Sequence, residues 1–158
     1  MVLIIFVSLA FPIDATAQGH LSVDIVALTG DPVPDGDGTF LSFNFPDLNA
    51  AGQVAFRGNI AGSVNDRGIF RGEVNSDVVQ ISRRGQAAPD GKGTFQDIDT
   101  APVLNDAGQI AFLNNLRISA RIDEGVFLSD GNRVVRIARS DDVAPDGHGV
   151  FSTFGYVA

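Results

Sequence analysis

Short apolar runs, each bounded by Gly, Asn, Asp or Pro, follow one another along the chain in a fixed order. Runs of this length between turn residues are typical of β-strands. The matching runs are residues 39–45 and 94–99, 53–60 and 109–116, 69–74 and 126–129, and 78–83 and 134–139, with a further copy of the fourth at 23–28. This order predicts an all-β fold of tandem four-stranded antiparallel units, each close to the length of one propeller blade.

One eight-residue stretch, NAAGQVAF at residues 49–56, returns as NDAGQIAF at residues 105–112. Asn49 and Asn105 open the two copies, and an Asn side chain can bond the backbone two residues on. Gly52 and Gly108 stand where a left-handed residue would close such a turn. The stretch is therefore predicted to form a turn and to start a strand, and not to carry chemistry.

The end of this stretch places a small and a large side chain on opposite faces of the predicted strand. Phe56 points to one face and Ala55 to the other, and Phe112 and Ala111 repeat the arrangement. This split suits a strand that is packed on both faces at unequal distances. Blades of a β-propeller are packed in this way, and Kelch blades are about 50 residues long. We therefore predict β-propeller-like blades.

A second recurring element is the tripeptide Pro-Asp-Gly, which precedes the first strand of each unit in PDGDGTF, PDGKGTF and PDGHGVF. Asp-Gly pairs favour turns because Asp bonds the backbone nearby and Gly accepts positive φ. Each tripeptide is predicted to form the loop that joins the fourth strand of one unit to the first strand of the next. The nine residues are Pro34, Asp35, Gly36, Pro89, Asp90, Gly91, Pro145, Asp146 and Gly147.

Calcium binding is the alternative interpretation of these loops. Asp35 and Asp37 are spaced like the first ligands of a calcium loop, because hard cations take several carboxylate and carbonyl oxygens. The twelve-residue pattern fails, however, since no Glu occupies its closing position. We therefore predict no cofactor and keep calcium as the alternative.

The recurring elements divide the chain into successive segments. Residues 18–33 form an N-terminal linker with a lone blade strand, 34–88 form repeat unit 1, 89–144 form repeat unit 2, and 145–158 begin a truncated unit 3. Propellers close with about 4–8 blades, so the predicted ring is incomplete. Either the chain is a fragment of a longer protein or several chains assemble.

The N-terminal residues 1–17 differ from the rest. An apolar run of about ten residues ends near Phe11 and is too short to span a membrane as a helix. The small residues Ala15 and Ala17 follow it at the spacing of a cleavage site, which predicts a secretory signal peptide cut near Ala17. A buried N-terminal strand is the alternative. We expect a secreted or cell-surface protein without a transmembrane span in the mature chain.

Charge and cysteine content exclude several classes of function. The formal net charge of −8 argues against nucleic acid and anionic membranes as partners. The chain has no cysteine, which excludes disulfides, thiolate catalysis and cysteine-ligated metals.

Few residues qualify as catalytic groups. His20 and His148 are the only histidines, and His148 occupies a loop position that holds Asp and Lys in the other copies. Asp97 and Asp99 lie on a predicted first strand and would line the channel of a propeller, where paired acids can serve glycoside hydrolysis. The first unit has no acid at that place. No catalytic, cofactor-binding or metal-binding residue is therefore predicted.

The eight-residue stretch resembles the repeat of exported bacterial proteins named for the pattern Asn-x-x-Gly-x-x-Ala-Phe, the choice-of-anchor tandem repeat proteins. Asn49, Gly52, Ala55 and Phe56 fill the pattern, and the second copy fills it again. The Pro-Asp-Gly loops are also similar, so the resemblance covers nearly all of residues 23–158. It implies an exported repeat protein, and it transfers no activity to this chain.

Two functions remain in view. The first is a non-enzymatic repeat scaffold, exported to the cell surface or beyond, that binds an unknown protein or glycan through loops that differ between the units, such as GNIAGSVNDR and NNLRISARIDE. The alternative is a carbohydrate-active, propeller-type enzyme with acids collected around a central channel.

Overall fold

The computed structural model describes residues 3–8, 22–98 and 100–155 of the chain. These residues form eleven β-strands and no helix, which confirms the predicted all-β class. The strands make two large antiparallel sheets and one two-stranded sheet, and no sheet of the described residues closes into a barrel. No helix of the described residues is long and apolar enough to cross a membrane.

Unit 1 contains a four-stranded antiparallel sheet in which neighbouring strands follow one another in sequence. Its strands are β3 (Thr39–Leu48), β4 (Val54–Ala61), β5 (Arg67–Gly72) and β6 (Val79–Arg83). This is the predicted order of four strands.

The first strand of unit 1 runs past its predicted end at residue 45. Its pairing with β4 is irregular between Asn44 and Asp47, where Phe45 has a φ of 51°. Pro46 has no N–H to donate to the ladder, so the strand bulges there before it resumes.

Unit 2 repeats the sheet with a broken first strand. Its strands are β7 (Thr94–Phe95), β8 (Val103–Leu104), β9 (Ile110–Ile118), β10 (Arg121–Ser129) and β11 (Val134–Arg139), and both β7 and β8 pair with β9. Residues 96–98, predicted as strand, are not in a strand, although Gln96 and Asp97 keep backbone bonds to Asn115 of β9 (2.8 and 3.2 Å). The predicted end at Asp99 lies outside the described residues.

The hairpin between β9 and β10 corrects a second expectation. The stretch NNLRISARIDE, predicted as a variable loop, is mostly strand, and only residues 119 and 120 turn the chain. Ser119 has a φ of 55°, which permits so short a connection. In unit 1 the corresponding connection is longer, because β4 ends at Ala61 and β5 begins at Arg67.

The N-terminal strands precede unit 1. β1 (Leu3–Ser8) pairs antiparallel with β2 (Ser22–Leu28), and β2 corresponds to the fourth strand of a unit. The predicted cleavage site at Ala15 to Ala17 lies outside the described residues, so the signal peptide stays a prediction.

The core consists of two layers, each between a unit and its neighbour. We call the side of each sheet that carries Phe56 or Phe112 the Phe face, and the side that carries Ala55 or Ala111 the Ala face. The Phe face of unit 1 packs with Ala27 of β2. The Ala face of unit 1 packs against the Phe face of unit 2 in a second cluster. The units are therefore stacked face to face, as propeller blades are.

Three phenylalanines recur on the Phe faces of both units, and Phe43 adds a fourth ring in unit 1. In unit 2, Phe95 meets Phe127 edge-on at 5.1 Å between ring centroids, and Phe112 stacks on Phe127 at 5.5 Å. Phe40, Phe56 and Phe70 repeat this triad in unit 1. All six rings are buried, so each unit brings the same aromatic layer to its neighbour.

Candidate functional site

The two Asn-x-x-Gly stretches form the same turn before the second strand of each unit. Asn49 Oδ1 accepts hydrogen bonds from the N–H groups of Ala51 (3.1 Å) and Gln53 (2.9 Å). Asn105 makes the two corresponding bonds in unit 2. The side chain thus holds the loop and the start of the strand together.

The glycines of these turns are left-handed. Gly52 has a φ of 80° and Gly108 a φ of 76°. A Cβ atom at Gly52 would meet nothing within 4 Å, whereas one at Gly108 would lie 2.7 Å from Gln53 Oε1 of unit 1. Gly108 is therefore required by its backbone, and a side chain there would also displace the ends of Gln53 and Arg71.

The two turns are also bonded to each other, which sequence reasoning missed. Asn49 Nδ2 donates to the carbonyl oxygen of Asn105 (2.9 Å), and Ala50 N donates to Asp106 Oδ1 (2.9 Å). Successive copies of the motif therefore couple successive units. The regular spacing of the repeat was the available signal, since equal spacing places equivalent turns side by side.

Other bonds cross the same seam between the units. Arg71 Nη1 donates to the carbonyl oxygens of Gly108 (2.7 Å) and Asp130 (3.2 Å). Leu104 N donates to Asp47 Oδ2 at 2.6 Å. The seam thus combines an aromatic layer with polar bonds along one edge.

The alanine and phenylalanine of the motif lie in the core of the stack. Phe56, Phe112 and Ala55 are fully buried. Ala111 is only partly buried, because no complete unit covers the Ala face of unit 2. The four residues therefore serve packing and not a cavity.

The three Pro-Asp-Gly loops share one turn. Asp35 Oδ1 accepts the N–H of the residue two positions on at 3.1 Å, Asp90 Oδ1 does so at 3.0 Å, and Asp146 Oδ1 at 2.9 Å. The glycines that follow have left-handed φ angles of 76°, 72° and 76°. These loops contain Pro34, Gly36, Pro89, Gly91, Pro145 and Gly147.

A buried arginine holds each of the first two loops. Arg83, at the end of β6, pairs with the carboxylates of Asp35 and Asp37. Arg139, at the end of β11, donates to Asp90 Oδ1 (3.3 Å) and to the carbonyl oxygen of Lys92 (2.8 Å). The carboxylates considered for calcium therefore face a guanidinium that neutralises them, which favours the turn interpretation. Among the described residues no three His, Asp or Glu side chains group together as metal ligands would.

A groove of about 620 Å³ lies at the junction between β2 and unit 1. We call it groove 1. Its floor includes Pro34 and the buried ring of Phe40, and Val26 of β2 forms one wall. The opposite wall is the turn before β6, with the exposed residues Ser76 and Asp77.

Groove 2, of about 310 Å³, lies at the equivalent junction between units 1 and 2. Pro89 and the buried ring of Phe95 line it, and Ile81 of β6 replaces Val26. The turn before β11 forms its far wall, with Asn132 and Arg133 exposed. Eight lining positions of groove 2 match lining positions of groove 1 in the repeat.

The two grooves differ in the charge of the turn that forms their far wall. Groove 1 presents the carboxylate of Asp77, and groove 2 presents the guanidinium of Arg133 at the matching place. In groove 2 the N–H groups of Arg133 and Asn132 donate to the Asp130 carboxylate at 2.8 and 2.9 Å, and these bonds lower the pKa of Asp130. The turn therefore stays rigid and charged at neutral pH.

One further lining residue has a structural role in both grooves. Asp31 Oδ2 accepts the N–H of Leu28 at 2.8 Å, and Gln86 Oε1 accepts that of Arg83 at 3.1 Å. Each side chain caps the end of a fourth strand. The largest difference in charge between the two grooves therefore lies in their far walls, where Asp77 of groove 1 corresponds to Arg133 of groove 2.

The remaining candidates for catalysis are scattered. His148 is exposed in its loop, and Asp97 is half-buried with its backbone carbonyl bonded to Asn115 N (3.2 Å). His20 and Asp99 lie outside the described residues. Among the described residues, two serine hydroxyls meet carboxylates: Ser63 Oγ donates to Asp37 Oδ2 (2.6 Å) and Ser76 Oγ donates to Glu73 Oε1 (3.1 Å), and both pairs are exposed.

One protein-family model matches most of the chain. Residues 22–158 match the model described as Family of unknown function (DUF7453). The chain belongs to this family. No curated protein and no solved structure matches it. The match spans both units, both grooves and the seam between them.

Proposed function

We propose that the chain is an exported, non-enzymatic repeat scaffold of the choice-of-anchor tandem repeat kind, and that its grooves bind a protein or glycan at the cell surface. The observation that carries this proposal is the recurrence of one groove at equivalent junctions with an unchanged floor and a changed wall. Repeat proteins use this division of labour, because the frame maintains the stack while exposed positions are free to differ.

The frame positions support this division. The phenylalanines of the floor, the prolines of the loops and the clamping arginines recur in both units. The wall positions 76 and 77 instead correspond to Asn132 and Arg133. A binding surface assembled from several such walls would recognise an extended partner with charges of both signs.

Binding is tested with immobilised bacterial surface polysaccharides and peptidoglycan as probes. We expect Asp77→Ala combined with Arg133→Ala to weaken retention at least tenfold. Lys92→Ala, an exposed charge on a loop outside the grooves, is the matched control and should bind as the parent does. Equal retention of all three proteins would contradict the groove assignment. Release of reducing ends from the probes would instead support the carbohydrate-active enzyme.

Export is tested separately with a C-terminally tagged chain in a bacterial host. We expect the tagged product outside the cytoplasm, with its N-terminus near Gln18. An intact N-terminus on a cytoplasmic product would contradict the signal peptide, and it would favour retention of β1 as a strand paired with β2.

A further inference from the structure

The Ala faces of the two units have the same construction and different surroundings. In unit 1, Ala55, Ile69 and Ile81 lie under the Phe face of unit 2. Ile81 is 2% exposed there, while Ile137 at the matching place of unit 2 is 59% exposed. The Ala face of unit 2 is therefore an apolar surface without the cover that unit 1 receives.

This uncovered face is more apolar than its counterpart. Leu113 and Leu128 of unit 2 occupy the positions that Arg57 and Arg71 hold in unit 1, as the pairing registers show. Leu113 is already only 8% exposed and Leu128 is partly buried, so the open part of this face is centred on Ile137. An exposed isoleucine beside these leucines marks an interaction surface.

The segment after unit 2 shows which way a cover would approach. Asp141 N donates to the carbonyl oxygen of Phe151 (2.8 Å), and Phe151 N donates to that of Asp142 (3.0 Å). Phe95 makes the same pair of bonds at the start of unit 2: Gly85 N donates to its carbonyl oxygen (2.8 Å), and its own N–H donates to the carbonyl oxygen of Gln86 (2.9 Å). Phe151 therefore stands where the first ring of a third Phe face belongs, although it is only half-buried.

We propose that the Ala face of unit 2 docks the Phe face of a further unit of the same repeat, joined through the segment that contains Phe151. The contact repeats the one between units 1 and 2. Asn105 Nδ2 then donates to the first carbonyl of the next Asn-x-x-Gly turn, as Asn49 Nδ2 does to Asn105. The occupant is recognised by three aromatic rings on one face and this turn at its edge.

The test supplies such a unit by duplication. Residues 89–144 are inserted a second time after residue 144, so that a copy of unit 2 follows unit 2. The chain contains no cysteine, so single cysteines report the accessibility of chosen positions to a maleimide. Ile137→Cys in the first copy of unit 2 is the reporter, Ile81→Cys is the buried control and Lys92→Cys the exposed one.

In the 158-residue chain we expect Ile137→Cys to react at nearly the rate of Lys92→Cys, and Ile81→Cys at least tenfold more slowly. In the extended chain the first-copy Ile137→Cys should become as slow as Ile81→Cys, and unfolding should remain a single transition at a higher midpoint. Fast labelling of that residue in the extended chain, or an added unit that stays unfolded, would overturn the proposal.

A second copy of the chain is the competing occupant. It predicts slow labelling of Ile137→Cys already in the 158-residue chain, together with a dimer mass in light scattering. That pair of results would overturn docking of a repeat unit. The outcome does not depend on whether the grooves bind a glycan or a protein, because no ligand enters the measurement.

Discussion

Units 1 and 2 carry the same motifs, the same aromatic triad and the same loop clamp, yet they differ in how many of their faces are covered. Unit 1 is packed on both sides, against β2 and against unit 2. Unit 2 is packed mainly through its Phe face, whereas on its Ala face Leu113 is buried and Ile137 is exposed. Equivalent side chains thus have different energetic roles, because burial depends on the neighbour and not on the unit itself.

The largest expected loss of stability follows from changes in the aromatic layer, which has the same three phenylalanines in both units. Phe112→Ala should lower the free energy of unfolding by about 3–5 kcal/mol, because truncation of a buried ring leaves a cavity. Phe56→Ala should cost about as much, since both rings are fully buried. Urea denaturation measures both values.

Phe45→Ala is the control for this experiment, because Phe45 is half exposed and lies against the Arg57 guanidinium. It should cost less than about 1 kcal/mol. If Phe112→Ala kept the parent stability and lost binding to a polysaccharide probe, the motif would be a binding element and the packing interpretation would be wrong.

The next effect separates the covered Ala face from the uncovered one. Ile81→Ala should destabilise the chain by about 2–5 kcal/mol, and Ile137→Ala by no more than about 0.5 kcal/mol. The two positions are equivalent in the repeat but are 2% and 59% exposed. Thermal or urea unfolding of the pair measures the difference, and equal losses would show that Ile137 is covered in solution.

The glycines of the two turns give a smaller contrast. Gly52→Val and Gly108→Val should each cost about 1–3 kcal/mol, because a β-branched residue is strained at positive φ. The loss should be greater at Gly108, where the new side chain also meets Gln53 and Arg71. Urea midpoints of the two variants measure the order, and a greater loss at Gly52 would contradict the described seam.

The smallest contrast isolates the bond between the turns. Asn49→Ala and Asn105→Ala both remove three bonds inside a turn, but only Asn49→Ala also removes the bond to the Asn105 carbonyl. The difference should be about 1 kcal/mol, the usual net contribution of one hydrogen bond. Equal destabilisation in matched melts would mean that the bond between the turns adds nothing.

Much of the repeat could be predicted from local patterns. The order of the four strands in unit 1 and of the last three in unit 2 follows from apolar runs between turn residues, and the left-handed glycines follow from the residues around them. The broken first strand of unit 2 could not be predicted this way, because residues 94–99 look as strand-like as their counterparts. The hairpin of β9 and β10 was also missed, since its polar residues resemble a loop until they pair.

The grooves were beyond prediction for a related reason. Groove 1 joins Val26 to Asp77, and groove 2 joins Ile81 to Arg133, so each brings together side chains that lie far apart along the chain. Neither wall has a distinctive sequence. Only the stacking of one unit on the next creates the space between them.

The sequence by itself determined the repeat, the turns and the two-faced strands, because these depend on φ preferences and on alternation within a few residues. The tertiary structure decided that Asn49 bonds Asn105, that Arg83 neutralises Asp35, and that Ile81 is buried while Ile137 is not. Each of these contacts joins residues from different strands or different units. They arise from how the sheets stack, and that arrangement is set by the fit of whole faces and not by any local pattern.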